Sequence, residues 1–370
     1  MMRSMRATVT IPIAQPLIGE EERQRILEVL ASGVLVADRM VREFEEAFAE
    51  YLGVSHAVAT SSGTTALQVA LEALGIAEGD RVVTTPFTFA GTSHAILHAG
   101  ARPVFADVDP RTFNLDPQAV EEAVQREGAR AVVVVHLYGL PCDMAAIGEI
   151  VRRHGLLLIE DCAQAHGATF RGRKAGTFGH AAIFSFYPTK NMTTGEGGMV
   201  VTADAEVARR ARLLVDPRVD EEQVSGVIGH NFRMTDLAAA MGPPQLRRLD
   251  HQNGIRRRHA HALTAGFGDL PWLLPPVEPP GAVHVYTQYT VRVQAREALV
   301  VHLDREGIGH RVYYRTLIPH FPAYRRLGLD GRFPHAETLT REVLSLPVHP
   351  ALSDDDLRRI IHAVTAFRPK

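Results

Sequence analysis

Lys190 and Asp161 are the two side chains whose type and position suit covalent chemistry on a small molecule. Each follows an apolar run: Asp161 closes LLLIED, and Lys190 comes four residues after the AAIFSF run. A lysine amine held away from water has its ammonium form disfavoured, and the neutral amine is the nucleophile that makes a Schiff base with an aldehyde. A strand-terminal carboxylate can simply cap the next turn. It can also face a protonated pyridine nitrogen and keep the proton there, so that the ring becomes an electron sink for carbanion chemistry at an amino-acid Cα. Loop lysines are ordinarily solvated, but lysine is scarce here: of 40 basic residues only Lys174, Lys190 and Lys370 are lysines.

An anion socket lies upstream. From His56 to Gly75 the chain reads HAVATSSGTTALQVALEALG, a short strand, a turn of small residues and a helix. Ser61, Ser62, Gly63 and Thr64 place hydroxyls and backbone N–H groups at that helix N-terminus, where they can hold a phosphate or merely cap the helix. The glycine-rich GEGG at 195–198 follows Lys190 and precedes a strand, the wrong order for a dinucleotide or Walker fingerprint, so it reads as a tight turn. His136, His166, His230 and His320 show no zinc-motif spacing, and no metal site is expected. Histidines 180, 251, 259, 261 and 302 read as surface or packing residues.

The elements that must position these groups alternate. Helical periodicity marks 20–31 and 40–52, separated by the loop SGVLVADR. Strands are expected at 81–85, 103–109, 131–136, 156–161, 181–186 and 198–202, and helices at 92–101, 117–128 and 143–155. AVVVVH is apolar throughout, as a parallel strand covered on both faces should be. Such alternation predicts a layered α/β domain with its chemistry beyond the carboxyl ends of the strands. A helix rich in Ala and Arg follows Thr202, then the irregular DPRVDEEQVSGVIGHNFRM. Thr235 caps DLAAAM, which Pro243-Pro244 must stop or kink. The proline-rich 269–283 reads as a linker to a smaller unit with strands VYTQYTVRV and HRVYY and helices REALVVHLDREG and SDDDLRRIIHAVTAF. Domains are expected at 1–250 and 251–370.

Composition excludes several classes. A net charge of −2 without a long basic run argues against nucleic acid as the main partner. No apolar stretch approaches a membrane span, and the N-terminus MMRSMRATVT lacks the apolar core of a secretory signal and reads as a loose end. Cys142 and Cys162 are too few for a disulfide framework and suit a reducing cytoplasm.

These segments together resemble the DegT/DnrJ/StrS family of sugar aminotransferases, over about residues 11–365. The motifs that carry the resemblance are SSGTTALQVAL, PFTFAGTSHAIL, GARPVFADVDPRTFNLDP, VVHLYGLPCDM, IEDCAQAHGA, FSFYPTKN, GEGGMV, GHNFRMTDLAAA and LSLPVHPALSDDDL. The resemblance implies the type I fold of enzymes dependent on pyridoxal 5′-phosphate (PLP): a large domain with a mostly parallel, mixed seven-stranded sheet and a smaller C-terminal α/β domain. It implies that Lys190 carries the cofactor, Asp161 pairs with its ring nitrogen, Phe89 stacks on the ring and Gln164 bonds near its phenolic oxygen. Thr64, Thr65 and Ser185 would hold the phosphate, with Asn231 from a second subunit, so a homodimer with shared sites is expected. Tyr187 and His320 are expected near the substrate. The implied reaction is transfer of an amino group, with L-glutamate as donor, to a nucleotide-linked 3- or 4-ketohexose or a keto-cyclitol of the scyllo-inosose type. A PLP-dependent sugar dehydratase and a PLP-binding regulatory protein are the rivals; the family's dehydratases carry histidine in place of this lysine. Asp38-Arg39, Val215-Asp216-Pro217-Arg218 and Pro243-Pro244 depart from the family pattern in regions expected to shape the substrate pocket or the dimer contact.

Overall fold

The computed structural model of the protein describes residues 10–216 and 227–369. The N-terminal end at 1–9, part of the irregular segment at 217–226, and with it Pro217-Arg218, lie outside the described residues.

Two helices, α1 (Glu20–Ser32) and α2 (Arg39–Leu52), precede β1 (His56–Thr60) and α3 (Gly63–Ala73). The alternation then runs β2 (Arg81–Thr84), α4 (Gly91–His98), β3 (Arg102–Phe105), α5 (Pro117–Glu127), β4 (Ala131–Val135), α6 (Met144–His154) and β5 (Leu157–Asp161). A small antiparallel excursion, β6 (Thr169–Phe170) and β7 (Arg173–Lys174), leads to β8 (Ala181–Ser185), β9 (Gly198–Thr202) and α7 (Ala205–Val215). The main sheet has seven strands in the order β1-β9-β8-β5-β4-β2-β3, with β9 antiparallel to both neighbours and the other pairs parallel.

Strand periodicity sorts the core into two layers. Ala57, Ala59, Ala182, Phe184, Met199 and Val201 pack with Phe44 and Phe48 of α2, while Val58, Ile183 and Val200 pack with Leu67, Leu71, Ala211 and Leu214 of α3 and α7. β4 is buried at all five positions, as its unbroken valine run requires.

The short helix α8 (Asp236–Ala239) is capped by Thr235 and ends as expected before Pro243-Pro244. Those prolines lie in the first turn of α9 (Gly242–Phe267), where the missing N–H groups need no partner. The expected domain boundary at 250/251 falls inside this continuous 26-residue helix. The segment 269–283 is also more than a linker. Trp272 packs edge-on against Phe367, β10 (Leu273–Leu274) joins the small sheet, and β11 (Ala282–Val283) pairs with β6 of the large domain. β12 begins only at Tyr289 (Tyr289–Val293), because Val285 and Gln288 donate to the carbonyls of Gly139 and Tyr138 and tie the preceding residues to the large domain.

HRVYY is not a strand: Arg311 makes an isolated bridge to Ser345, and the third strand of the small sheet is instead β13 (Val343–Leu346). Tyr313 and Tyr314 turn towards the large domain, where the Tyr313 carbonyl accepts the Tyr138 hydroxyl and Tyr314 meets Phe87 edge-on. The small domain is completed by α10 (Arg296–Arg305), α11 (Pro322–Arg326), α12 (Pro334–Glu342) and α13 (Asp354–Ala366). Among the described residues no helix is long and apolar enough to cross a membrane.

Gly198 shows how tightly the turn after Lys190 is seated. A Cβ there would lie 2.3 Å from the Ser62 carbonyl oxygen, so the turn can press on the cap of α3 only with glycine at this position. Gly198→Ala should lower stability by roughly 1–3 kcal/mol. A shifted urea midpoint at unchanged slope would show this, and an unmoved midpoint would refute the contact.

Candidate active site

Parallel pairing of β5 with β8 sets Asp161 opposite Ile183, bringing the carboxyl ends of the two strands together. Asp161 is 6% exposed. Its Oδ1 accepts the Ala163 N–H at 3.1 Å and its Oδ2 accepts the Thr92 hydroxyl at 2.9 Å. Burial pushes the carboxyl above its ordinary range, while Ala163, Thr92 and the charges of Lys190 and His136 pull it back. On Lys190 burial acts the opposite way, lowering the amine, and Asp161 opposes it. The two groups therefore feel each other's charge in a poorly solvated place, and a ligand offering a cation to Asp161 or an aldehyde to Lys190 would relieve both.

Contacts that glycine alone permits weld the socket to this pair. A Cβ on Gly91 would lie 2.6 Å from Thr64 Oγ1 and 2.8 Å from the Phe89 ring. A Cβ on Gly63 would lie 2.7 Å from Ser185 Cβ. Thr64, Phe89 and Ser185 thus meet around the N-terminus of α3, whose first N–H groups have no intrahelical acceptor and favour an anion. Thr65 differs from this expectation: its hydroxyl is engaged by the backbone of Ser62, whose own hydroxyl accepts the Thr65 N–H, so Thr65 builds the capping box. Phe89 is 62% exposed, a bare aromatic face over the socket. Gln164 is buried, with Oε1 accepting the Tyr138 N–H at 2.6 Å and Nε2 donating to the Tyr314 hydroxyl at 3.4 Å.

The other expected residues sit on the rim. Tyr187 is 47% exposed beside Tyr313. Asn231 is exposed, next to Phe232, whose carbonyl accepts the Ser61 N–H at 2.7 Å. His320 places Nε2 against the Gly331 carbonyl at 3.2 Å. Sequence reasoning missed Thr92, which lay inside a quoted motif, and Tyr138 and Tyr314, which only the folded chain brings to Gln164. It also missed His166, wedged between Phe184 and Phe186 and pushed down to about 3, by burial first and by the charge of Lys190 second.

His136, Glu160 and Cys162 lie close enough for a metal, but their hydrogen bonds are already made. Glu160 accepts the N–H groups of Gly176, Phe178 and Gly179 and faces His136 Nε2 at 3.0 Å, while His136 Nδ1 accepts the Cys142 N–H. With Nδ1 taken by the Cys142 N–H and Nε2 by Glu160, the group acts as a structural clamp.

Residues 16–365 match the DegT/DnrJ/EryC1/StrS aminotransferase family. The chain belongs to that family. It is 39% identical to the GDP-perosamine synthase of Caulobacter vibrioides, with 96% of this chain and 97% of the relative covered. It is also 39% identical to a protein named pleiotropic regulatory protein of Geobacillus stearothermophilus, covering 94% of each. Among solved structures, DesV of S. venezuelae in complex with a ketimine intermediate superposes with a TM-score of 0.90 at 39% identity, covering 94% of each chain. The chain is an aminotransferase with the type I fold of PLP-dependent enzymes.

The displaced amine makes a direct prediction. Reductive alkylation of Lys190 by a small aldehyde, followed by mass spectrometry, should reach half its maximal rate below the pH of about 10.4 typical of lysine. Asp161→Asn should lower that pH further, because the Asp161 charge favours the ammonium form. A profile matching exposed lysine would contradict the geometry.

Proposed function

We propose that the site holds PLP and that the protein transfers an amino group from L-glutamate to a nucleotide-linked keto-sugar. The observation that carries this reading is the junction of a buried carboxylate, a depressed lysine amine and an anion-seeking helix N-terminus within one set of contacts. The fit is specific in charge: Asp161 has two oxygens already bonded to neutral donors and lacks only a cation, which a ring N–H⁺ would supply. Thr64, Ser185 and the first N–H groups of α3 would take the phosphate, Gln164 the phenolic oxygen, and Phe89 one face of the ring. When bound, the cofactor supplies an electrophilic aldehyde and a ring that accepts electron density. Lys190 would hold it, then, displaced by the donor, carry the Cα proton on Nζ as base and return it as acid. His166 stays neutral beside that amine and adds no competing charge.

The acceptor class rests on the relatives: a GDP-perosamine synthase aligns over nearly the full chain. A scyllo-inosose type cyclitol is the alternative acceptor. Two buried free cysteines fit a reducing cytoplasm. We further propose a homodimer with shared sites. Leu27, Leu30, Val34, Leu35, Val36 and Ile228 are all exposed, and the Asp236 N–H on the Leu35 carbonyl ties that apolar rim to the element following Asn231.

Purified protein should absorb in the visible, lose that band with L-glutamate and regain it with the keto-sugar or the cyclitol, whichever is the acceptor. Protein that binds the cofactor but ignores every donor would favour a regulatory role, as the name of the Geobacillus relative suggests. Lys190→Ala should abolish the half-reaction, whereas Lys174→Ala should leave it nearly intact, since Lys174 donates to the Tyr51 carbonyl and lies 3.6 Å over the Tyr51 ring. Equal losses would mean the wrong lysine. Mixing Lys190→Ala and Asn231→Ala subunits should restore about a quarter of wild-type activity, because half the dimers are hybrids with one intact site. No recovery would place Asn231 in its own chain's site.

A further inference from the structure

Behind the lysine turn lies a second polar site. A cavity of about 20 Å³ is walled by Gln15 of the N-terminal strap (residues 14–17), by Thr189, Lys190 and Asn191 of the lysine turn, and by Gln252 and Arg256 of α9. Arg256 is 7% exposed. Its Nε has no hydrogen-bond partner, and its Nη1 reaches only the Tyr286 carbonyl, at 3.5 Å. No carboxylate among the described residues pairs with it, although most buried arginines would need one. The charged and titratable neighbours do not compensate. His259 and His349 both feel the Arg256 charge and are pushed down, by burial first, so they are neutral; Arg258 adds positive charge near His259. Asp356 bears on His349, but its carboxylate is held by Ser353 at 2.8 Å.

We propose that this cavity binds a single-atom anion of the chloride class, which neutralises Arg256 and fastens the segment bearing Lys190 to α9 and the N-terminal strap. Size selects the ligand. About 20 Å³ exceeds the roughly 10–15 Å³ needed for one water-sized occupant and suits one small ion. Charge separates the anion from water, which would satisfy the Nε–H and leave the guanidinium unpaired. Asn191 already ties the lysine segment to α9 through Nδ2, at 2.8 Å from Asn253 Oδ1 and 3.1 Å from the Val285 carbonyl. The cavity adjoins the catalytic lysine, which lines it, whereas Asp161 is not among its walls.

The test uses the holoenzyme at constant ionic strength, replacing sodium gluconate stepwise with sodium chloride. Wild-type protein should show a saturable rise in Tm of roughly 2–4 °C, and Arg256→Gln should lose that dependence. A rise that never saturates, or one equal in the variant, would overturn the proposal. Should Arg256→Gln fail to fold, wild-type crystals soaked in sodium bromide decide alone. An anomalous peak beside Arg256 Nε supports the site, and a peak-free cavity means that water is the occupant.

Discussion

The structure turns on one unsolvated carboxylate. Asp161 sits at the end of a central strand, 6% exposed, where water cannot stabilise its charge and where Lys190 is the strongest opposite charge acting on it. Neither partner is comfortable: burial raises one and lowers the other. A surface ion pair would be worth little, and a buried one must be supported by further hydrogen bonds. Here Thr92 and Ala163 provide that support, and both belong to segments that leave the sheet at the same edge. The position of α4 is set by this need, and with it the positions of Gly91, Phe89 and Thr64.

The adjacent residue makes the opposite bargain with the same chemistry. Glu160 and Asp161 are neighbours on one strand, so the pleat sends them to opposite faces. Glu160 accepts three backbone N–H groups and a histidine, which fully occupies a carboxylate and pins the 176–179 loop below the sheet. Asp161 accepts two neutral donors and retains capacity for a cation. One acid is structural and the other chemically available because of hydrogen-bond count, with burial nearly equal for the two.

That difference marks the boundary of what the amino-acid order reveals. Element types in the large domain were legible because parallel strands covered on both sides must be continuously apolar and their helices amphipathic. Lys190 and Asp161 were legible because they end such runs. The misreadings share a cause: HRVYY, VYTQYTVRV and 269–283 have strand-like or linker-like local composition, but contacts with Tyr138, Gly139 and Phe170 across more than a hundred residues override it. Tyr314 reaches Gln164 only through those contacts. Thr65 is ambiguous along the sequence for a subtler reason, since a hydroxyl at a helix N-terminus can serve ligand or cap, and only geometry shows its bonds to Ser62.

The departures from the family pattern gather around another buried acid. Asp236 accepts the N–H groups of Asp38 and Val41 at one oxygen and of Met40 at the other, so the Asp38-Arg39 junction is the seat of α2. Pro243-Pro244 starts α9 a few residues further on, and Arg233 reaches back to Asp216 at 3.0 Å. Three sequence differences that look unrelated along the chain therefore bear on one region, the base of the exposed rim that carries Leu35 and Asn231. A backbone anchored this firmly from below leaves the rim's outward side chains free to change without disturbing Asp161 or Lys190. Two buried carboxylates thus have separate tasks: Asp161 faces the charge of Lys190, and Asp236 seats α2 beneath the exposed rim.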